Sequence, residues 1–280
     1  MTAADRADDR LAELEAAART HATPCAGGSL VWRVWGEGEP LVLLHGAHGF
    51  WGHWVHTIPT LAARRTLWVP DLPGYGDSAL PEGEDHAAFV HPLARALQAL
   101  LPVAGPLDIV GFSFGGIIAT HLAMLYPALV RRLVIIDPGG LGTPLGEFEL
   151  RSPRGLEGAA RDAVEVANLK SLMLHDPAKA DALALRINRR GMAQARFHPG
   201  KLVMPDHLVT ALAQCQAPLD AIWGALDRAH PDPAQQDAAL RRFRPDLRFR
   251  VVPEAGHWCM YEQPAAFNAI LQELLALPPA

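Results

Sequence analysis

The chain has 280 residues, half of them apolar, and a formal net charge of −5. This length supports one large core, and the mild charge without a basic stripe argues against nucleic acid or an acidic membrane surface as a partner. Three widely spaced cysteines predict neither a disulfide framework nor a zinc knuckle. The charged N-terminus lacks the apolar segment of a signal peptide, and no stretch reaches about 18 consecutive apolar residues, so we expect a cytoplasmic protein.

Short apolar stretches alternate with helical patterns over most of the chain. Residues 4–20 are predicted to form a helix, and residues 29–35 alternate in polarity and are predicted as an antiparallel edge strand. Further strands are predicted at 41–44, 66–70, 107–110, 132–136, 219–223 and 247–252, and further core helices at about 54–63, 85–101, 117–125 and 264–275. Because these strands are apolar throughout and alternate with helices, the pattern predicts an α/β fold with a mostly parallel central sheet flanked by helices.

The alternation is interrupted between residues 139 and 211. This segment has helical patterns, clearest at 162–174 and 177–190, and polar turns but no convincing strand. We therefore predict that 139–211 is a helical cap inserted into a core made of 1–138 and 212–280, in which 1–28 is an N-terminal helical extension. The cap is expected to cover the carboxyl edge of the sheet, where ligands bind in open α/β folds.

The segment 111–116 reads Gly-Phe-Ser-Phe-Gly-Gly between a predicted strand and a predicted helix. A G-x-S-x-G sequence in this setting is typical of a nucleophile elbow, in which the serine adopts a strained backbone with positive φ and its hydroxyl stands clear of the sheet. Gly111 and Gly115 allow neighbouring backbones to approach. Ser113 is therefore the predicted nucleophile, and the alternative is that it only caps the following helix.

A serine nucleophile needs a base, and the base needs an orienting carboxylate, in the chain order Ser, Asp or Glu, His for this kind of fold. His257 follows the last predicted strand and is the predicted general base. Asp227 follows the strand before it and is the predicted orienting acid. Asp137, directly after the strand next to the elbow, is the competing acid, and Asp227 would otherwise be a helix N-cap.

The tetrahedral intermediate of acyl transfer needs N–H donors for its oxyanion. We expect them from Phe114, which follows the nucleophile, and from Ala47, since Gly46 permits a tight turn before it. His53 and His56 have a spacing that suits a metal, but no third ligand is suitably placed in the sequence. We therefore expect neither a metal nor a cofactor.

Together these motifs resemble the α/β-hydrolase superfamily over nearly the whole chain from about residue 29. The matching pieces are LVLLHGAHG at 41–49, DLPGYGDS at 71–78, VGFSFGG at 110–116, WGALD at 223–227 and EAGHW at 254–258. The resemblance implies an α/β-hydrolase fold and a serine-based triad. Serine at position 113, where the dehalogenases of this superfamily carry aspartate, argues against dehalogenation.

A narrower resemblance is to the meta-cleavage-product C–C hydrolases. The matching pieces are Asp137-Pro-Gly-Gly-Leu-Gly, Gly256-His257-Trp258, Glu262 and Phe267-Asn268. This resemblance implies that Arg186 on a cap helix grips a substrate carboxylate, unless it is simply a solvated arginine, and that Trp258 is a pocket wall. Phe112 stands where that family typically has asparagine, and the loop at 45–51 departs from its H-G-x-G-P-G pattern, so a polar contact to the substrate is missing.

The predicted active-site loops are rich in aromatic residues. Phe50, Phe112 and Trp258 are predicted to bind substrate together with His48 and Arg186, although any of the aromatic residues could instead be core packing. A dry aromatic cleft under a cap suits a small, largely apolar ester.

We therefore expect a serine hydrolase that cleaves a small carboxylic ester through an acyl-enzyme intermediate. One alternative is a C–C bond hydrolase acting on a vinylogous diketone. Others are a cofactor-free perhydrolase or haloperoxidase, and a non-catalytic ligand-binding protein on the same scaffold. The expected partner is a small-molecule substrate rather than nucleic acid or a membrane, and a homodimer through the N-terminal helix is left open.

Overall fold

A computed structural model describes residues 2–101 and 105–279, and this part of the chain forms an eight-stranded sheet in the order β1-β2-β4-β3-β5-β6-β7-β8. The strands are β1 Arg19–Cys25, β2 Gly28–Trp35, β3 Glu39–Leu44, β4 Arg65–Pro70, β5 Leu107–Phe112, β6 Val130–Ile136, β7 Leu219–Gly224 and β8 Arg248–Val252. Only β1 with β2 and β2 with β4 pair in the antiparallel sense; all other neighbours in this sheet are parallel. The predicted α/β fold with a mostly parallel sheet is confirmed.

The helices lie on both faces of this sheet and in the segment between β6 and β7. They are α1 Ala3–Ala16, α2 Ile58–Leu61, α3 His86–Leu100, α4 Phe114–Leu125, α5 Gly158–Asn168, α6 Ala182–Gln194, α7 Gly200–Val203, α8 His207–Leu212, α9 Pro233–Arg241, α10 Cys259–Glu262 and α11 Pro264–Ala276. Short 3₁₀ turns occur at Trp51–Trp54, Pro127–Leu129 and Pro177–Lys179, and a π turn at Leu169–Met173.

Successive residues of the central strands supply the two halves of the core. Val42 and Leu44 of β3 pack with residues of α3 and α4 on one face of the sheet. Leu41 and Leu43 of the same strand pack on the other face, with residues of α11 and the Trp51–Trp54 turn. Because both faces are covered, the central strands carry apolar residues on both faces rather than on alternate positions only.

The prediction that residues 29–35 form an edge strand is wrong, because β1 pairs along the outer side of β2, with Arg19 opposite Val34. The sequence of β1 is mostly polar, and only Thr23 and Cys25 are buried, so it lacks an apolar pattern. Its first two residues, Arg19 and Thr20, fall within the predicted helix 4–20, which ends at Ala16 in the structure. A hairpin with its turn at Ala26 (φ +47) supplies the backbone partners that the side chains do not indicate.

The segment between β6 and β7 is helical and contains no strand among its described residues, which span all of 139–211. The predicted helices 162–174 and 177–190 correspond to α5 with its following π turn and to α6. The core segments predicted at 1–138 and 212–280 include residues 1, 102–104 and 280, which lie outside the described residues, and the domain boundaries remain predictions. No helix within 2–101 or 105–279 is both long and apolar enough to cross a bilayer.

The N-terminal helix α1 connects this helical segment to the sheet. Glu15 accepts hydrogen bonds from both terminal nitrogens of Arg190 on α6, each 2.8 Å away, and pairs with Arg33 of β2 at 2.5 Å. Arg33 is nearly buried and also pairs with Asp71 at 3.0 Å. Thus one carboxylate of α1 joins a cap arginine to a core arginine.

Candidate active site

Ser113 lies in the sharp turn between β5 and α4. Its backbone has φ +52° and ψ −120°, which confirms the predicted positive φ. A Cβ built on Gly111 would lie 2.4 Å from the carbonyl oxygen of Gly115, and one built on Gly115 would lie 2.4 Å from that of Leu44. Glycine is therefore required at both positions. The Ser113 side chain makes no capping bond to α4, so its hydroxyl is available for another partner.

That partner is His257, in the loop after β8. Its Nε2 lies 3.0 Å from Ser113 Oγ, and its Nδ1 lies 2.9 Å from Asp227 Oδ2. With the proton on Nδ1 donated to the carboxylate, Nε2 can accept the serine proton. The structure thus brings the predicted nucleophile, base and acid into one hydrogen-bonded chain, although they are 144 and 30 residues apart along the sequence.

Asp227, rather than the competing Asp137, contacts the histidine. Asp227 Oδ1 also accepts the N–H of Ala229 at 2.8 Å, and α9 is capped by Asp232, so Asp227 is not a helix cap. Burial by itself would raise the pKa of Asp227. The positive charges of His257 and His230, together with the hydrogen bonds that both donate, hold this pKa below its usual value. Asp227 is therefore ionised at neutral pH.

Asp137 lies beside this group with a different protonation. Its Oδ1 accepts the N–H of Gly224 at 2.9 Å, and its backbone has φ +44°. Burial, followed by the negative charge of Asp227, raises the pKa of Asp137 well above its usual value. Two neighbouring carboxyl groups in a dry site cannot both be ionised, and Asp137 is the one that keeps its proton.

The loop after β3 forms a tight turn in which Gly46 O accepts the N–H of Gly49 at 3.2 Å. Ala47 and His48 are its central residues, and His48 has φ +53°. His45 holds the loop from below: its Nδ1 donates to Gly46 O at 2.8 Å and its Nε2 accepts the N–H of Leu72 at 2.9 Å. Burial lowers the pKa of His45 to about 4, so it is a neutral organiser of the loop.

The two amides predicted to bind the oxyanion belong to Ala47 and Phe114. Ala47 lines the same cavity as Ser113. Phe114 is the first residue of α4, so its N–H has no carbonyl partner within the helix. Both amides are candidates for the oxyanion donors.

Ser113 opens into a cavity of about 480 Å³ between the sheet edge and the helical segment above it. Phe112, Trp258, Leu172 and Met173 supply apolar parts of its lining. Polar groups also line it, and they come both from the loops around Ser113 and from the segment between β6 and β7, which supplies Arg151, Arg161, Asn168 and Asn188. The cavity therefore combines apolar walls with polar groups from the helical segment and from the loops at the sheet edge.

The structure brings some of the predicted substrate-binding residues to this cavity and not others. His48, Phe112 and Trp258 line it. Phe50, also predicted to bind substrate, does not line the cavity; it is fully buried, with the guanidinium of Arg190 4.6 Å from its ring centroid. Its loop turns back into the core at this point.

Arg186, predicted to grip a substrate carboxylate, does not line this cavity. Its guanidinium makes a bidentate pair with Asp8 of α1, and it lines a separate groove between α1 and α6. Arg186 lies on α6, within the segment predicted as the cap, but its side chain is on the face of α6 that is directed at α1.

His53 lines the cavity as well, although its sequence position suggested only an incomplete metal site. Its Nδ1 accepts the N–H of Gly46 at 3.3 Å, and its carbonyl accepts the indole N–H of Trp258 at 3.1 Å. Burial, followed by the charges of neighbouring histidines, lowers the pKa of His53 well below its usual value. The sequence carries no periodic signal that would have identified it.

Ligand-type atoms of Asp227, His230 and His257 lie within 4.8 Å of one another, the one such group found among the described residues. Both imidazoles contact the carboxylate through Nδ1. These contacts are N–H to oxygen hydrogen bonds, which need protons where a metal would bind, so the geometry fits a hydrogen-bonded group better than a metal centre.

Comparison with known proteins agrees with this site. Residues 41–270 match the family model described as the alpha/beta hydrolase family. A 2-hydroxymuconate semialdehyde hydrolase from Pseudomonas putida is 32% identical over 259 residues, which cover 86% of this chain and 88% of that protein.

Two solved structures have the same fold. The meta-cleavage product hydrolase CumD from Pseudomonas fluorescens IP01 superimposes with a TM-score of 0.73 at 22% identity, covering 90% of this chain and 96% of that one. The esterase RhEst1 from Rhodococcus sp. ECU1013 gives a TM-score of 0.75 at 20% identity, covering 94% and 99%. With a family model spanning most of its length and a relative at 32% identity, the chain belongs to the alpha/beta hydrolase family and is a hydrolase.

Proposed function

We propose that the protein cleaves small, largely apolar carboxylic esters through an acyl-enzyme on Ser113. The observation that carries this proposal is the 3.0 Å contact between Ser113 Oγ and His257 Nε2 at the floor of a cavity with Phe112 and Trp258 in its wall. A serine hydroxyl with a base in this position attacks carbonyl carbon. An apolar wall next to it favours an ester with apolar groups.

The reaction uses groups of the protein alone. Ser113 Oγ bonds to the carbonyl carbon while His257 Nε2 takes the hydroxyl proton, and Asp227 stabilises the imidazolium that forms. The N–H groups of Phe114 and Ala47 hold the oxyanion. When the intermediate collapses, the ester C–O bond breaks and His257 gives its proton to the leaving alkoxide. Water, deprotonated by His257, then releases the carboxylic acid and regenerates Ser113.

The test is the turnover of p-nitrophenyl esters of increasing acyl length by wild type and by Ser113→Ala. We expect hydrolysis by wild type, a loss of roughly 10⁴-fold or more in Ser113→Ala, and stoichiometric labelling of wild type alone by a fluorophosphonate. Ser171→Ala, which removes a cap hydroxyl that bonds Glu149 N–H, is the matched control and should keep full activity. Undiminished ester turnover by Ser113→Ala would overturn the proposal.

A second function is favoured by the relatives: hydrolysis of a carbon–carbon bond in a vinylogous diketone. A 2-hydroxymuconate semialdehyde hydrolase is 32% identical to this chain over 86% of the chain's length. Such a substrate carries a carboxylate, and Arg151 and Arg161 line the cavity, whereas Arg186 does not. Arg151 pairs with Glu149 and Arg161 with Glu165, so a substrate carboxylate would share each arginine with an acid of the protein. Turnover of a ring-fission product that falls in Arg161→Ala but not in Arg186→Ala would favour this function over ester cleavage.

A further inference from the structure

The carboxylate of Asp227 lies within hydrogen-bond distance of two imidazoles, not one. Its Oδ2 lies 2.9 Å from Nδ1 of His257 and 3.1 Å from Nδ1 of His230, while Oδ1 is held by the N–H of Ala229. A serine triad requires only the first of these histidines. His230 is thus a titratable group in direct contact with the triad acid and without a role in the reaction described above.

His230 is fixed in this contact. Its side chain is only 10% exposed, and its carbonyl accepts the indole N–H of Trp223 at 3.2 Å. Its ring meets Trp223 edge-on at 6.1 Å and lies 5.6 Å from the ring of His257. A Cβ built on Gly139 would come within 3.3 Å of His230 Nε2, so the backbone of the loop after β6 closes the other side. The imidazole is therefore enclosed on most sides.

The contact determines which nitrogen of His230 carries a proton. An ionised carboxylate only accepts hydrogen bonds, so Nδ1 of His230 must donate. A donor to a carboxylate stabilises the ionised form and reduces the negative charge felt by other partners. Because the imidazolium of His257 is stabilised by that same charge, a second donor lowers the proton affinity of His257.

Other titratable groups face this pair from neighbouring elements. Asp137 at the end of β6 and Cys259 on α10 lie on the Asp227 side, and burial, with neighbouring acids, raises the pKa of each well above its usual value. Glu262 lies beyond Cys259 and accepts the N–H groups of Gly256 and Asp176.

His53 faces His257 from the opposite side, and burial lowers its pKa well below its usual value. Asp137, Cys259 and His53 are therefore uncharged near neutral pH.

We propose that His230 is a positioning residue for the hydrolase: its Nδ1–H holds Asp227 in one orientation and sets the pH above which His257 acts as a base. This inference rests on the proposed function of Ser113. Without His230, Asp227 would attract the His257 proton more strongly and would be held by one donor fewer, so the neutral, reactive form of His257 would appear only at higher pH.

The experiment compares wild type, His230→Leu and His230→Asn by the rate at which a fluorophosphonate labels Ser113 between about pH 5 and about pH 9. Asparagine carries an N–H donor at the position of Nδ1 but does not titrate, whereas leucine fills similar space without a donor. In His230→Leu we expect the acid limb of the profile to move up by about one pH unit and the maximal rate to fall roughly tenfold. In His230→Asn the limb should stay within about 0.3 unit of wild type.

Two results would overturn the inference: a His230→Leu profile that matches wild type, or a His230→Asn profile shifted as far as that of His230→Leu, since the donor would then be irrelevant. A thermal unfolding scan of each variant accompanies the rates.

A measurement on the wild type keeps the inference testable if His230→Leu does not fold. Nitrogen-15 NMR of labelled histidines should show His230 protonated at Nδ1, and an Nε2–H tautomer overturns the inference. Absence of labelling in wild type itself would overturn the proposed function, and this inference with it, whereas a normal wild-type profile with no effect at position 230 overturns the inference alone.

Discussion

The carboxyl edge of the sheet and the contact between α1 and α6 are held together by opposite means. At the sheet edge, buried hydrogen bonds fix the loops, as where Ser113 N–H donates to Ile136 O at 2.8 Å and Gly224 N–H donates to Asp137. At the α1–α6 contact, Arg186 and Asp8 pair with 47% of each side chain exposed. An exposed ion pair contributes about 0–1 kcal/mol and is screened by salt, whereas a broken buried contact to a charge costs about 1.5–3 kcal/mol.

The difference indicates that the sheet edge is the more rigid of the two regions. The reacting groups are on loops whose backbone is fixed by the sheet. The helical segment over the cavity packs on the core through residues such as Ile187, and exposed ion pairs to α1 add to this contact. We expect substitutions at the first region to change chemistry and folding, and substitutions at the second to change access and little else.

The largest difference in rate is expected between variants in which the two neighbouring acids are replaced one at a time. Asp227→Asn should lower kcat for an ester by about 10³–10⁴-fold, since the amide cannot hold the His257 tautomer that accepts the serine proton. Asp137→Asn replaces a protonated acid by a neutral isostere and should keep most of the wild-type rate. Steady-state kinetics of the pair checks this, and equal losses would mean that Asp137 shares the orienting role.

The next effect concerns the elbow backbone. Gly115→Ala places a Cβ 2.4 Å from Leu44 O, so β3 or α4 must move. The free energy of unfolding should fall by about 3 kcal/mol. Gly27→Ala, where a Cβ meets nothing within 4 Å, is the matched control and should change it by less than about 0.5 kcal/mol. Urea unfolding measures both, and an equal stability of the two variants would contradict the prediction.

Asp137 should also give the molecule a pH-dependent stability. Its pKa is raised in the folded state, so folding requires a proton that the unfolded chain releases above about pH 4. Wild-type stability should therefore fall relative to Asp137→Asn by about 1.4 kcal/mol per pH unit, from about pH 4 up to the raised pKa. Unfolding curves at several pH values test this, with Asp246→Asn at an exposed site as the control for removing an acid. A constant difference between wild type and Asp137→Asn would show that Asp137 is ionised in the fold.

A smaller effect is expected at the junction of cap and core. Glu15→Gln weakens the link from Arg190 of α6 to Arg33 of β2, and we expect a loss of about 1 kcal/mol and faster proteolysis between α5 and α6. High salt should reduce the difference from wild type. Glu13→Gln on the exposed face of α1 is the control, and similar proteolysis of both variants would argue that Glu15 does not hold the cap.

The smallest effect is expected at Arg186. Because it pairs with Asp8 at the surface and does not line the Ser113 cavity, Arg186→Ala should leave KM for any carboxylate-bearing substrate nearly unchanged. Arg161→Ala, in the cavity lining, provides the contrast. A large rise in KM for Arg186→Ala alone would restore it as a substrate contact.

Local patterns in the sequence predict the central strands and the loops that follow them best. The β5–elbow–α4 segment is indicated by an apolar run, two glycines and a helix pattern within about 20 residues. Such features depend only on residues close in the sequence, so packing with distant residues does not change them. The strand β1 was missed because its partner, not its own side chains, makes it a strand. The sequence places Phe50 in the loop after β3 and Arg186 on a helix between β6 and β7. It does not show which side of that loop or helix faces the cavity, because this depends on packing with distant residues.

By itself the sequence determined the α/β class, the place of Ser113 and the order in which a base and an acid follow it, because these depend on spacing and backbone conformation. Tertiary structure alone decided which acid meets His257, which arginines line the cavity and that a second histidine binds Asp227. Some of these outcomes depend on residues far apart in the sequence, as when Asp8 pairs with Arg186, 178 positions away. Even the short-range contact of His230 with Asp227 gains its strength from the water that the surrounding chain excludes.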